Sequence, residues 1–208
     1  MSLRTLVQFA HPALERSRVN RRLIRAIEEH LGTEGTVNDL YERYPNLSID
    51  VQHEQELLVA HDLVVFQFPF YWYSVPSLLK EWMDLVLQHG WAYGEGGDKL
   101  AGKRLLCVIT TGSPDFAYAA GAKNRYTVRQ LLAPIEQTAF LCRMHFLAPI
   151  MFHGALALST DAQVAPLSDT YRKGLDEARR EDLELARLGH VDTMNAWLDR
   201  DPGSEATS

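Results

Sequence analysis

The stretch from Phe66 to Leu87, FQFPFYWYSVPSLLKEWMDLVL, constrains the fold more than any other part of the chain. The apolar run Leu63 to Phe68 has the length and composition of a buried strand, and it runs directly into Pro69. Four bulky residues follow, Phe70, Tyr71, Trp72 and Tyr73. Ser74 and Pro76 then open a helix in which Leu78, Leu79, Trp82, Met83 and Val86 recur at helical spacing. A turn between a buried strand and a helix is an unusual place for so much apolar surface. In an open α/β sheet that edge is where ligands bind. The turn therefore reads as one wall of a site for a flat redox cofactor, a flavin mononucleotide above all.

The rest of the chain alternates in the same way. Leu3 to Ala10 is a short strand ended by His11-Pro12, because proline cannot continue a ladder. Ser17 is placed to cap a helix from Arg18 to Leu31, stopped by Gly32 and Gly35. Thr36 to Leu40 is a second strand, Tyr41 to Asp50 a connection with a turn at Pro45-Asn46, and Val51 to Ala60 a helix. A glycine-rich loop from Gly90 to Gly102 precedes the strand Leu105 to Thr110. A helix is expected over Val128 to Cys142, with Pro134 a kink or a boundary. The last strand falls within His145 to Phe152, interrupted in character by Pro149. Asp161 to Ser168 reads as a turn region and Asp169 to Leu188 as a long charged helix. The pattern predicts one α/β domain over residues 1–198, a three-layer doubly wound fold on a mainly parallel five-stranded sheet. The tail 199–208 is expected to be disordered.

Composition narrows the function. Net charge is −6, which gives no support to nucleic-acid binding. Cys107 and Cys142 both lie in apolar runs and read as buried free thiols, not as a disulfide. No apolar run reaches transmembrane length and the N-terminus has no signal-peptide pattern, so a soluble cytoplasmic protein is expected. The histidines His53, His61, His89, His145, His153 and His190 show no compact metal-ligand spacing, and no Gly-x-Ser-x-Gly elbow is present.

Three strand ends carry the chemistry. In a parallel sheet the βα loops emerge at one carboxyl edge, which brings His11 to Asn20, Pro69 to Tyr73, and Thr110 to Ser113 near one another. The first has a helix N-terminus behind it, with Ser17 and Asn20 as neutral donors and His11 at the preceding strand end. It lacks both the Gly-x-Gly-x-x-Gly fingerprint and the Walker lysine, so a monophosphate suits it better than a pyrophosphate or triphosphate. Trp72 could flank a ring system while backbone groups read its polar edge. Thr110, Thr111, Gly112 and Ser113 offer hydroxyl donors and a close backbone approach to the pyrimidine side.

With these residues in place, the chain resembles the flavodoxin-like NAD(P)H:quinone oxidoreductase family. It is most similar to the bacterial branch that includes the ancillary oxidoreductases of glutathione-gated potassium efflux systems. The pieces are His11-Pro12 with Ser17 and Asn20, Trp72-Tyr73-Ser74-Val75-Pro76, Leu78-Leu79-Lys80, and His89-Gly90-Trp91-Ala92-Tyr93-Gly94 with Gly97, Leu100 and Lys103; Thr110-Thr111-Gly112 completes them. The resemblance implies that His11 and Ser17, Arg18, Val19 and Asn20 surround a flavin phosphate. Phe70, Tyr71, Trp72 and Tyr73 would border the ring system, with Thr110 to Ser113 closing another side. It implies FMN, with FAD left open, NADH or NADPH as donor, a quinone as acceptor, and ping-pong two-electron transfer. It also implies a homodimer with the site between subunits, and a membrane antiporter as a partner that would hold the protein at the inner membrane face. An azo- or nitro-compound reductase is the rival enzyme reading. Two departures stand out. Ser113-Pro114 follows Thr-Thr-Gly where relatives often carry another glycine. Tyr118 falls at the position of a tyrosine that serves the mammalian branch, and is the catalytic candidate, but Asn124 replaces that branch's histidine.

Overall fold

Seven consecutive residues are buried in each of two strands, β3 (Leu63–Pro69) and β4 (Arg104–Thr110). A strand with both faces covered needs a layer of helices on each side, which is the condition for a parallel sheet. The computed structural model, which describes residues 3–183, Leu185 and 191–200, has that architecture. β1 (Thr5–Phe9), β2 (Gly35–Asp39), β3, β4 and β5 (His145–Phe146) lie in the order β2-β1-β3-β4-β5, and every pairing is parallel. β6 (Ile150–Phe152) also pairs with β4. β5 and β6 are therefore two pieces of one fifth strand position. Pro149, which has no N–H to give a ladder, lies at the break. The single strand expected within His145 to Phe152 is corrected to these two pieces.

On one face, α1 (Arg18–Leu31) and α7 (Asp161–Ala178) bury Leu23, Ile27, Val164 and Tyr171 against Val7, Val65 and Val108. On the other, α3 (Val51–Ala60), α4 (Ser77–Val86) and α6 (Ala133–Leu141) bury Leu58, Leu79, Trp82 and Ala139 against Leu6, Phe66 and Cys107. Alternate residues of one strand serve opposite cores, as the pleat requires. Both cysteines are buried and free. Among the described residues, no helix is long and apolar enough to cross a membrane.

Four further expectations need correction or completion. The connection from Tyr41 to Asp50 begins as a helical turn, α2 (Leu40–Arg43), because the Asp39 carboxylate accepts from the N–H groups of Tyr41 and Glu42. The helix over Val128 to Cys142 is two helices: α5 (Val128–Leu131) ends at Leu132, and Pro134 sits in the first turn of α6, where its missing N–H costs nothing. Asp161 to Ser168 is not a turn region but the first half of α7. Thr160 and Gln163 form a reciprocal capping box there, and that start outweighs the Pro166 inside the helix. The long charged helix thus starts eight residues earlier than Asp169 and ends at Ala178, and of the expected stretch to Leu188 residues 184 and 186–188 lie outside the described residues. A last helix, α8 (Met194–Leu198), was not expected. It buries Met194, and the Asn195 amide both accepts from and donates to the Met151 backbone, extending the β6 edge. Residues 201–208 of the expected tail lie outside the described residues.

A buried carboxylate ties the α3/α4 layer to the sheet. Glu54 on α3 has no solvent exposure. It accepts from Tyr44 Oη at 2.6 Å, Gln8 Nε2 at 2.7 Å, Trp82 Nε1 at 2.8 Å and Asn38 Nδ2 at 2.9 Å. The donors come from β1, β2, α4 and the segment after α2, so one side chain fixes four pieces of chain. Four neutral donors suit a carboxylate, which is acceptor-only; an amide turns one acceptor into a donor facing a donor. Glu54→Gln should therefore lower the unfolding free energy by about 2–4 kcal/mol, measured by urea denaturation.

Candidate functional site

The sheet order changes direction between β1 and β3, where one connection leads out to β2 and the other to β4. In such folds the crevice outside the carboxyl ends of these strands is the ligand site. Each loop there is positioned by its own local chemistry, and the three loops touch pairwise.

The first runs from His11 to α1. Ser17 caps α1 by accepting from the Asn20 N–H at 3.2 Å. The Arg21 N–H is taken by the Ser17 carbonyl. Of the first four N–H groups of α1, those of Arg18 and Val19 have no partner among the described residues, which leaves a positive helix end open to an anion. Val19 can contribute only its backbone, because its side chain is in the core, whereas Arg18 is exposed. His11 is buried, and its Nδ1 accepts from the Ala13 N–H at 3.2 Å. That contact puts the proton of the neutral ring on Nε2, as a donor. Burial pushes the His11 pKa below its ordinary value, against the pull of Glu15, so the neutral ring is favoured.

The second loop leaves β3. Tyr71 and Ser74 form an isolated bridge, and the Ser74 N–H bonds the Tyr71 carbonyl at 3.0 Å. Closing so tight a loop puts Trp72 at φ +50° and Tyr73 at φ +64°, left-handed conformations that cost bulky residues of order 1 kcal/mol each. The result is a Trp72 side chain projected out of the fold, at 93% exposure, between half-exposed Tyr71 and Tyr73. Phe70 instead turns inward and packs 6.3 Å from the Tyr118 ring.

The third loop leaves β4. Thr110 and Thr111 are buried, and the Thr111 N–H bonds the Phe152 carbonyl of β6 at 3.0 Å. A Cβ on Gly112 would come within 2.9 Å of Leu156 Cδ1, the end of an exposed side chain that can move aside. The chain itself therefore does not demand glycine there.

The three loops are tied together directly. Asn20 Nδ2 donates to Thr110 Oγ1 at 3.0 Å, joining the first and third. The Phe70 N–H donates to the Thr110 carbonyl at 2.8 Å, joining the second and third. The His11 and Tyr71 rings meet edge-on at 6.1 Å, joining the first and second. Asn20 is 2% exposed, yet its Oδ1 has no partner. The first turn of α1 thus offers one buried acceptor and two open N–H groups.

Tyr118 is buried at the rim, on the 3₁₀ turn Asp115–Tyr118. Burial raises its pKa, and the hydroxyls of Thr111 and Ser113 oppose the rise. Asn124 accepts from Tyr73 Oη at 3.3 Å and so holds the aromatic turn rather than Tyr118. Sequence reasoning passed over His153. Its ring lies 5.5 Å from that of Tyr118, with Nδ1 3.1 Å from Thr111 Oγ1 and Nε2 3.3 Å from Asp115 Oδ1. The available signal was position: His153 is the first residue beyond β6, at the same sheet edge. An apolar gap lined by Val64, Trp82, Leu105 and Cys142 lies near the amino ends of β3 and β4, away from these loops. No group of three or more His, Cys, Asp or Glu side chains among the described residues could hold a metal.

Comparison with known proteins fits this geometry. A family model described as a flavodoxin-like fold matches residues 3–175. The glutathione-regulated potassium-efflux system ancillary protein KefG of Pectobacterium atrosepticum is 48% identical over 156 residues, 75% of this chain and 84% of that protein. General stress protein 14 of Treponema denticola, solved in complex with FMN, superposes with TM-score 0.77 at 35% identity, covering 85% of this chain and 99% of that one. The NADPH-quinone reductase of P. pentosaceus superposes with TM-score 0.73 at 36% identity, covering 82% and 96%.

Burial holds the pKa values of His11, His61 and His153 below the ordinary histidine value of 6.5. Between those depressed values and 6.5 the unfolded chain binds more protons than the native one, so this part of the stability is present above about pH 6.5 and lost as pH falls. The thermal midpoint should accordingly drop between pH 7.5 and pH 5, and the drop should shrink in His61→Gln, whose ring lies outside the three loops.

Proposed function

The chain belongs to the flavodoxin-like fold family, and from that premise we propose that it is an FMN-dependent oxidoreductase passing electron pairs from NADH or NADPH to quinone-like acceptors, as the ancillary subunit of a glutathione-gated potassium-efflux antiporter. The redox half of this reading rests on the junction of three strand ends at the switch point, with the unpartnered Asn20 Oδ1 beside the open N–H groups of α1. The ancillary half rests on 48% identity to the KefG protein over most of both chains.

The residues present fit FMN. The N–H groups of Arg18 and Val19 and His11 Nε2–H would receive the phosphate, held in place by the Ser17 and Asn20 contacts. The Asn20 carbonyl oxygen would accept from a ribityl hydroxyl. Phe70, Tyr71, Trp72 and Tyr73 would border the ring system, and Thr110, Thr111, Gly112 and Ser113 would meet its polar edge. FMN, when bound, supplies the reversible two-electron chemistry that no side chain here has. Donor and acceptor would use the same face in turn, a ping-pong order, with the chain positioning each and excluding water. Trp72, Phe116 and Leu156, at 93%, 78% and 89% exposure, present apolar side chains on separate loops that a second copy of the chain would cover in a homodimer.

Purified protein should be yellow and release a mass equal to FMN. Anaerobic mixing with NADH or NADPH should bleach the flavin spectrum, and a soluble benzoquinone should restore it. A spectrum that neither nicotinamide changes would reject the enzyme reading. Co-purification with the cognate antiporter and enhanced potassium efflux would support the ancillary role; absence of both would reject it. Because Trp72 buries almost none of its surface within the chain, Trp72→Ala should leave the thermal midpoint within about 2 °C while weakening FMN binding about tenfold, measured by fluorescence titration.

A further inference from the structure

The first turn of an α-helix is its positive end, so acidic side chains are favourable there and basic ones are not. α1 is charged the other way round. It opens on Arg18 with no acid in the first turn, and Arg21, Arg22 and Arg25 follow. Its acids, Glu28 and Glu29, come near the other end, where negative charge is unfavourable. An arrangement that works against its own helix calls for a gain elsewhere.

Five of the chain's 21 lysines and arginines fall in residues 15–25, with only one of its 27 acids, Glu15. The remainder of the chain is therefore more negative than the whole, whose net charge is −6. On the helix, Arg18, Arg21, Arg22 and Arg25 recur at spacings of three and four, which aligns them as one stripe about 10 Å long. Val19, Leu23, Ala26 and Ile27 are buried on the opposite side, so the stripe faces solvent, and Arg18, Arg21 and Arg25 are exposed.

Neighbouring acids neutralise the stripe only in part. Arg25 Nε lies 3.0 Å from Glu29, Arg22 Nη1 3.5 Å from Asp161 at the start of α7, and Arg16 Nε 3.6 Å from Glu15. Solvent reaches all three pairs and screens them. Among the described residues, no ion pair involves Arg18 or Arg21. The stripe begins where the site begins. The Arg18 and Val19 N–H groups are open there, and Asn20, 2% exposed, has its Oδ1 unpartnered.

We propose that the α1 stripe is a capture surface for the flavin phosphate, drawing the cofactor from solution and delivering it to the first turn of α1. The inference rests on the FMN reading above and concerns how FMN arrives. A phosphomonoester is largely a dianion at pH 7.5, whereas the flavin rings are neutral. The negative remainder of the chain repels such a ligand; the stripe reverses the sign of the field where the site opens. Arg21 and Arg25 lie one and two turns beyond Arg18, so they act through this field and not through contact. Their effect belongs to the association rate, while the groups of the first turn set the dissociation rate.

The test is stopped-flow mixing of flavin-free protein with FMN or riboflavin, at salt concentrations where the screening length is ~30 Å (0.01 M) and ~3 Å (1 M). FMN association with wild type should slow at least about tenfold from the lower to the higher salt, and riboflavin association should change less than about twofold. The double variant Arg21→Gln/Arg25→Gln should take up FMN about fivefold more slowly than wild type at 0.01 M, and at the wild-type rate at 1 M. Its FMN dissociation rate and its riboflavin association rate should stay within about twofold of wild type. Its thermal midpoint should stay within about 2 °C, because both side chains are exposed and neither belongs to the core. FMN association that ignores salt, or a loss in the variant that falls on dissociation or on both flavins alike, would overturn the capture role. Wild-type protein that takes up neither flavin would instead overturn the FMN reading on which it rests.

Discussion

The Asn20 to Thr110 hydrogen bond is the contact on which the sheet edge depends. It is buried, it joins the start of α1 to the end of β4, and it spans 90 positions of sequence. The same threonine accepts the Phe70 N–H through its carbonyl, so one residue anchors the helix that can receive an anion and the turn that carries the aromatics. Were that knot absent, the cap at Ser17 would still form, because it is local. The aromatic turn would still close, because Tyr71 and Ser74 bond each other. What would be weakened is the alignment of the α1 N-terminus with the end of β4, leaving the His11–Tyr71 ring contact and the strand ladders to hold the loops.

Strain and burial are distributed to the same end. Glu54, deep in the α3/α4 layer, gathers donors from β1, β2 and α4 and leaves that side of the sheet rigid. At the opposite extreme, Trp72 and Tyr73 sit in left-handed backbone with little burial to recompense them. Residues held in that way cluster at functional sites, where surrounding structure over-determines them. A satisfied interior beside a strained, exposed rim is the distribution expected where the rim is functional.

Most of the architecture was legible in the chain because strand burial and helix periodicity are strong local signals. β3 and β4 read directly as continuous apolar runs, and Ser17, with Asn20 three residues on, marked the start of α1. Two of the misread stretches turn on caps: the Asp39 carboxylate opens α2, and a capping box opens α7. Asp161 to Ser168 is helical because Thr160 and Gln163 together define a helix start strong enough to carry α7 through Pro166. Pro134, by contrast, did mark a boundary, because it falls in a first turn. α8 was illegible because its five residues are too short for periodicity; the helix exists by virtue of Met194 burial and the Asn195 clasp on Met151.

The site was partly legible. Parallel-sheet topology predicts that the ends of β1, β3 and β4 converge, and they do. His153 and Asp115 could not be found by spacing, since they meet only through the pairing of β6 with β4. What those converging ends hold is decided most directly by titrating cofactor-free protein with FMN and with riboflavin, which has the same rings without the phosphate. If the α1 N-terminus and the aromatic turn grip one phosphorylated ring system together, FMN binds at least ~100-fold more tightly than riboflavin. Equal affinity for the two, or binding of neither, contradicts it.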